Sequence, residues 1–253
     1  MNFQHVITRI PCKKVTEGQT TANLGKPDYK KALIQHECYR KALSECGVTV
    51  TVLEPLEDYP DSCFVEDPAI VTEKTAIILY PGAATRQGEE KEILPALQSF
   101  YPTIEAVTTG TIEGGDVMRI GNHFYIGLSK RTNQTGADCL GKILEKYGYT
   151  YSTVPLKKMF HLKSGVNYIG DNTLLVAGEF ITDSRFQDYD KIIISESEMY
   201  AANCIRINEH VIMPENFPIT KKQLQQKGFS VKEVPMSEFM KIDGGLSCLS
   251  LRF

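Results

Sequence analysis

The pattern that most constrains this chain is a unit that returns along it. A segment of helical periodicity ends at a glycine, an alternating strand runs to a proline, and a loop then leads into a hairpin. Gly47-Val48-Thr49-Val50-Thr51-Val52-Leu53-Glu54-Pro55 is the clearest strand, and Gly148 to Pro155 and Gly228 to Pro235 repeat it. Glycine just past a helix supplies the left-handed residue that ends it, and period-two β-branched residues argue for strands. Hairpins are expected at Pro68–Val71 with Ala76–Leu79, Asp116–Ile120 with His123–Gly127, Val166–Ile169 with Thr173–Val176, and Asn203–Ile207 with His210–Met213. Gly121-Asn122, Gly170-Asp171-Asn172 and Asn208-Glu209 are turn residues between paired strands. A fifth hairpin has one strand left, Leu246 to Arg252, and Val6–Ile10 is free to pair with it. A spacing of roughly 40–50 residues belongs to radial repeats. The pattern predicts five αβ units in one domain, residues 1–253, closed into a ring by strands from the two ends of the chain. An open α/β sheet is the alternative, and it leaves unexplained why a strand ends the chain.

Composition narrows the function classes. A net charge of −3, mixed along the chain, gives no basic face for nucleic acid and no membrane surface. No apolar run approaches a membrane span, and Met1 to Ile10 is too short and polar for a signal peptide. Seven cysteines without a CxxC pair fit free thiols in a reducing compartment, so a cytoplasmic location is expected. Pro81 to Gly88 reads as a surface loop.

In a ring of repeats, one position of every unit faces the axis. The loops before the hairpins bring there Asp61, Cys63, Glu66 and Asp67, then Glu113, Gly114, Gly115 and Asp116, then His161, Lys163, Ser164 and Gly165. Ala202, Asn203, Asp243, Gly244, Gly245 and Cys248 follow. Taken singly, each has an ordinary structural explanation: Cys248 a core residue, His161 a surface histidine, Glu113-Gly-Gly a turn. Their equivalent placement makes a set, and a Cys/His pair distant in sequence is the form expected of a thiol nucleophile and its base. The histidines have no i,i+3 or i,i+4 partners, so no ligand spacing calls for a metal. So many carboxylates around one thiol suit a planar cation such as guanidinium, gripped bidentately, rather than acyl transfer. Arg86 and Arg131 would clamp the carboxylate of an amino acid.

Phe64-Val65-Glu66-Asp67-Pro68, Phe124 to Asn133, His161-Leu162-Lys163-Ser164, Ala201-Ala202-Asn203-Cys204-Ile205 and Lys241-Ile242-Asp243-Gly244-Gly245 closely resemble the dimethylarginine dimethylaminohydrolases. The likeness runs from Arg9 to Phe253. It implies the α/β fold of the guanidine-modifying enzymes, a fivefold pseudo-symmetric αβ propeller (the pentein fold), and hydrolysis of methylated arginine to citrulline and a methylamine. On matching positions it implies Cys248 as nucleophile, His161 as general acid and base, and Glu113 as the carboxylate that orients the histidine. Asp67 would be the main guanidinium partner, with Glu66 and Asp61 beside it. Arg86 and Arg131 would bind the substrate carboxylate, and the Ile242 backbone would lie near the α-amino group. It implies no cofactor and no metal, although zinc can occupy the thiolate site, and it leaves the oligomeric state open, a homodimer included. Two residues depart from the pattern. Gln19 stands where relatives often carry a leucine whose backbone contacts substrate, and Gln87 where they often carry a second arginine. An arginine deiminase would use the same residue types, but its usual helical insertion is missing between Glu89 and Phe100. A non-catalytic sensor of arginine analogues would be free to lose Cys248, His161 and Glu113.

Overall fold

The two ends of the chain lie side by side in one sheet. In the computed structural model, which describes residues 2–253, β1 (His5–Arg9) pairs in parallel with β2 (Thr49–Leu53) after the helix α1 (Tyr29–Glu45). Then come the hairpin β3 (Ala69–Val71) and β4 (Ala76–Ile78), α2 (Glu89–Gln98) and β5 (Ile104–Ala106). The third unit is β6 (Val117–Ile120), β7 (His123–Leu128), α3 (Gln134–Lys146) and β8 (Thr150–Pro155). The fourth is β9 (Val166–Tyr168), β10 (Thr173–Val176) and β11 (Asp190–Ile193). The last runs β12 (Ile205–Ile207), β13 (His210–Pro214), α4 (Pro218–Gln226) and β14 (Ser230–Val234). The chain ends with α5 (Ser237–Met240) and β15 (Leu251–Arg252), which pairs antiparallel with β1 through Val6 and Arg252. The expected closure of the ring is therefore present; Met1, the first residue of the expected domain, lies outside the described residues.

Five three-stranded sheets result, each an antiparallel pair plus a parallel third strand; four of the pairs are hairpins and the fifth is β1 with β15. Together they form the fivefold pseudo-symmetric αβ propeller. The hydrogen bonds divide the repeat differently from the sequence pattern. The alternating strand after each helix joins the hairpin before that helix, as β8 joins β7, because a helical crossover returns the chain beside the strand it left. Two third strands were not evident in the sequence. β5 is three residues long and follows no stop glycine, and β11 follows two short 3₁₀ turns (Gly178–Phe180 and Ser184–Phe186) in place of an α-helix.

The helices form where the sequence provides ends and a face. The Asp28 side chain caps α1 by accepting from the Lys31 amide at 2.9 Å, and Asn133 caps α3 by accepting from the Gly136 amide at 2.8 Å. Gly47 (φ 86°) and Gly148 (φ 78°) take the left-handed turn that stops each helix. On α1 the buried face is Ala32, Gln35, His36, Tyr39, Ala42 and Leu43, and its Ala32, Tyr39, Ala42 and Leu43 pack into one core with Val6, Val234, Phe239 and Leu249. The first strand of each hairpin, with β15, lines the axis, where one end of the ring holds a cavity of about 760 Å³. The catalytic residue types gather outside that cavity.

Two expectations about the path of the chain are corrected. Leu246–Arg252 is not one strand: Ser247–Leu249 forms a 3₁₀ turn, and only Leu251–Arg252 pairs. Tyr39 Oη donates to the Leu246 carbonyl at 2.9 Å, and the Ser247 amide donates to Asn203 Oδ1 at 2.9 Å, so the turn is held from two sides. Pro81–Gly88 is not simply a surface loop, because it folds a 3₁₀ turn at Ala84–Arg86 that buries Ala83 and the Arg86 side chain.

Candidate active site

Short 3₁₀ turns lead into the inner strands: Gly114–Asp116 into β6, Leu162–Ser164 into β9, Glu196–Ala202 toward β12 and Ser247–Leu249 into β15. These turns pack against one another at one end of the ring. His161, Cys248, Gly115, Tyr200 and Asp243 line one small cavity there, of about 60 Å³. The sequence expectation that Cys248 and His161 converge is met.

The imidazole is held on two sides. Its Nε2 lies 2.9 Å from Glu113 Oε2, and the other oxygen of Glu113 accepts from the Ala83 amide at 3.1 Å. A Cβ on Gly115 would fall 2.6 Å from His161 Nδ1, so only glycine lets the ring sit here with that edge toward the cavity. The ring's backbone is fixed by Asp116, whose Oδ1 accepts from the Leu162 amide at 2.9 Å and whose Oδ2 accepts from Ser129 Oγ at 2.6 Å. Burial pulls the His161 pKa down, but Asp116, the hydrogen bond to Glu113 and the charge of Asp67 outweigh it and push the pKa up to about 9. The imidazole is therefore protonated at neutral pH.

The Cys248 sulfur accepts from the Gly245 amide at 3.5 Å. Burial first, then the carboxylates of Asp67 and Glu66, push the thiol up to about 12, against the pull of that amide and of Lys163. Asp67 is buried with Oδ1 accepting from the Gly115 amide at 3.0 Å and Oδ2 paired with Arg86. Burial raises its pKa, but Arg86 and His161 reverse the sign and hold it below the usual range, so it is ionised. Asp61 accepts from the Gln19 amide at 3.2 Å through Oδ1.

Two expected substrate contacts are placed otherwise. Arg86 is turned inward, with its Nη1 on Asp67, its Nε 3.1 Å from Glu89 Oε1, and Nη2 on the carbonyls of Asp61 (3.2 Å) and Phe64 (3.1 Å). That guanidinium is held by two carboxylates and two carbonyls. Glu66 lines the larger axial cavity instead of the small one, with Oε1 at 2.6 Å from both Lys163 Nζ and Arg252 Nη2. A buried carboxylate is drawn to the nearest cations, and here those come from β15 and the His161 turn. The remaining expected residues form the rim. Arg131 Nη2 donates to Gln19 Oε1 at 2.6 Å, and its guanidinium carbon lies 5.2 Å from the centre of the Phe160 ring. Ile242 lies beneath the Gln19 loop, its Cγ2 at 3.3 Å from where a Gly18 Cβ would be. Asp243, in the left-handed region at φ 56°, accepts from Thr21 Oγ1 at 2.9 Å and ties the same loop down.

Asp116 and Asn203 lie in these loops, and nothing in the sequence alone gives them a role. Asn203 ties the turns together, donating to the Lys163 carbonyl at 3.0 Å and to Ser247 Oγ at 3.1 Å. A signal was available for Asp116, which follows Glu113 at the spacing that places both on one turn. Asp67, Glu113 and His161 bring ligand atoms within 4.8 Å of one another, the one such group of three among the described residues. Their atoms are already committed to Gly115, Arg86, Ala83 and each other.

The family model described as N,N dimethylarginine dimethylhydrolase, eukaryotic, matches residues 19–246. The N(G),N(G)-dimethylarginine dimethylaminohydrolase of Pseudomonas aeruginosa is 51% identical over 99% of this chain and 100% of its own. The protein of the same name from Streptomyces coelicolor is 31% identical over 100% of this chain and 98% of its own. Among solved structures, a cysteine-to-serine mutant of the P. aeruginosa enzyme complexed with citrulline superposes with a TM-score of 0.99 at 50% identity, each chain covered fully. The N-terminal domain of the cyanobacterial arginine dihydrolase ArgZ shares the fold, at a TM-score of 0.85 and 21% identity over 100% of this chain and 97% of its own. On the extent of these matches, the chain belongs to the dimethylarginine dimethylaminohydrolase family.

Proposed function

We propose that this protein hydrolyses Nω-methylated arginine, dimethyl- or monomethyl-, to citrulline and a methylamine through a covalent S-alkylthiouronium on Cys248. The observation that carries the reading is geometric: Cys248 and His161 line one small cavity, with Glu113 on the imidazole. The Cys248 thiol is held neutral by burial and by the carboxylates around it, while His161 beside the same cavity is already protonated. A guanidinium bound against Asp67 and Asp61 offsets that negative field, so the substrate itself favours the thiolate.

The steps then follow. The thiol proton leaves to solvent, and Sγ attacks the guanidinium carbon to form the C–S bond. His161, held through Nε2 by Glu113, gives its proton to the methylated nitrogen, and the C–N bond breaks. The neutral amine departs and takes up a solvent proton, leaving a thiouronium cation. Water adds to its carbon as His161 takes one water proton. The second adduct collapses to citrulline, its remaining hydroxyl proton returning to the sulfur. Imidazolium and thiol are restored without a cofactor in any step.

The test is citrulline formation from asymmetric dimethylarginine, monomethylarginine and arginine by purified protein. Release from the methylated substrates is expected, and no release while Cys248 remains titratable would overturn the reading. The arginine deiminase alternative is not favoured: the curated relatives at 51% and 31% identity carry the dimethylarginine name, and α2 is a single helix between Glu89 and Gln98 with no inserted element. Seven free cysteines support a reducing, cytoplasmic setting, and no helix of the described residues is long and apolar enough to cross a membrane.

A further inference from the structure

The loop from Gly18 to Gly25 carries a residue that the chemistry above does not use. The Gln19 amide is held at both ends: Oε1 accepts from Arg131 Nη2 at 2.6 Å, and Nε2 donates to Thr85 Oγ1 at 2.5 Å. Its backbone N–H is anchored on Asp61, 3.2 Å from Oδ1. The side chain thus bridges the turn before α2 and the segment before α3, across the rim of the site.

We propose that Gln19 is a positioning residue for substrate selection: its neutral amide presets the Arg131 guanidinium to receive the carboxylate of an amino-acid substrate. The proposal rests on the methylarginine reading and extends it to the far end of the substrate. Of the two arginines at this edge, Arg86 is buried and bound to two carboxylates and two carbonyls. The Arg131 side chain is about one-fifth exposed, and its guanidinium donates one hydrogen bond, to Gln19. Arg131 is thus the arginine at this edge with donors left over for a substrate carboxylate.

Arg131 has a competing partner. Its Nη1 lies 3.8 Å from Glu113 Oε1, in the carboxylate that holds His161. Released from Gln19, the guanidinium would settle on Glu113 and lose the charge that a ligand carboxylate needs. An amide holds it away without neutralising it, since its oxygen carries only a partial charge. Thr85 fixes which end of the amide faces Arg131. A leucine here could not hold the arginine, and a glutamate would hold it but cancel its charge.

The experiment compares two substrates bearing the same dimethylguanidine, dimethylarginine and its decarboxylated counterpart on a butylamine chain. For Gln19→Leu and Gln19→Glu, kcat/KM on the amino acid should fall at least fivefold further than on the decarboxylated compound, mainly through KM. Thr85→Ala should move the same ratio more weakly. Equal losses on both substrates would mean that Gln19 only pins the loop, and an unmoved ratio would mean that it does nothing for Arg131; either result overturns the proposal. Calorimetric binding of citrulline, in a Cys248→Ser background, separates the two readings. If the wild type hydrolyses neither substrate, the proposed function fails. Weaker citrulline binding in Gln19→Leu would still uphold the role of Gln19, and equal binding would end it.

Discussion

Asp67 is asked to do two things with one charge, and its removal should move two measurements in opposite directions. Its carboxylate is ionised, buried and close enough to Cys248 to be the first charge raising the thiol. With the thiol pushed up to about 12, the thiolate is a small minority at pH 8. Taking away one neighbouring negative charge lowers a thiol pKa by roughly one unit, about 1.4 kcal/mol. Asp67→Asn should therefore speed alkylation of Cys248 by iodoacetamide at pH 8 by about tenfold, read by mass spectrometry of the peptide that carries it. The same change removes a charge-assisted hydrogen bond to substrate guanidinium, about 1.5–3 kcal/mol, so affinity should drop roughly 10- to 150-fold. A more reactive thiol with a weaker grip on substrate is the signature. An Asp67→Asn variant with wild-type alkylation and wild-type affinity would take Asp67 out of both the field on the sulfur and the guanidinium site.

The other predictions concern the histidine and the tail. His161→Gly should slow both C–N cleavage and hydrolysis of the thiouronium; with S-methylthiocitrulline, whose thiolate departs without a donated proton, the adduct should still form and accumulate, visible by mass after acid quench, and a variant that forms no adduct with it would place His161 before attack. The raised His161 pKa also bears on folding. A histidine whose folded pKa is about 9 against 6.5 unfolded contributes stability that is full below pH 6.5 and lost as pH rises through about 9. That is at most about 3 kcal/mol, checked by urea unfolding at pH 6 and pH 9.5, and His161→Gln should flatten the difference. Deleting Leu251–Phe253 removes the pairing of β15 with β1 and the Arg252 contacts to Ser247 and Glu66, and should lower the urea midpoint as well as activity. Cys248→Ser, which leaves those contacts in place, should abolish turnover with little change in midpoint.

What could be read from the sequence was what repeats and what is local. The hairpins announce themselves through turn residues, and the ring follows from a strand left over at each end. Equivalence of position in a repeat put Cys248, His161 and Glu113 among the axial loop residues, and the family resemblance is what gives them their expected roles. β5 and β11 escaped because three or four residues carry too little periodicity, and their crossovers lack the helix-then-glycine signal of the other units.

Arg86 and Glu66 mark where local reading stops. Glu66 lies in an axial loop and Arg86 outside those loops, and the family resemblance implies a substrate contact for both. Their actual partners are decided by which opposite charges the fold brings nearest. For Arg86 one partner was within reach, since Glu89 follows three residues later and closes on it, but Asp67 lies on the far side of the β3–β4 hairpin. For Glu66 the partners are Lys163 and Arg252, far away in sequence. Buried charges must be paired, so a chain that crowds acids at one axis must also bring bases there, and those bases compete with the substrate for the acids. The resting site is then a nearly closed set of ion pairs. Arg131 is the member held by a neutral amide instead, which makes it the guanidinium best able to change partners when substrate arrives.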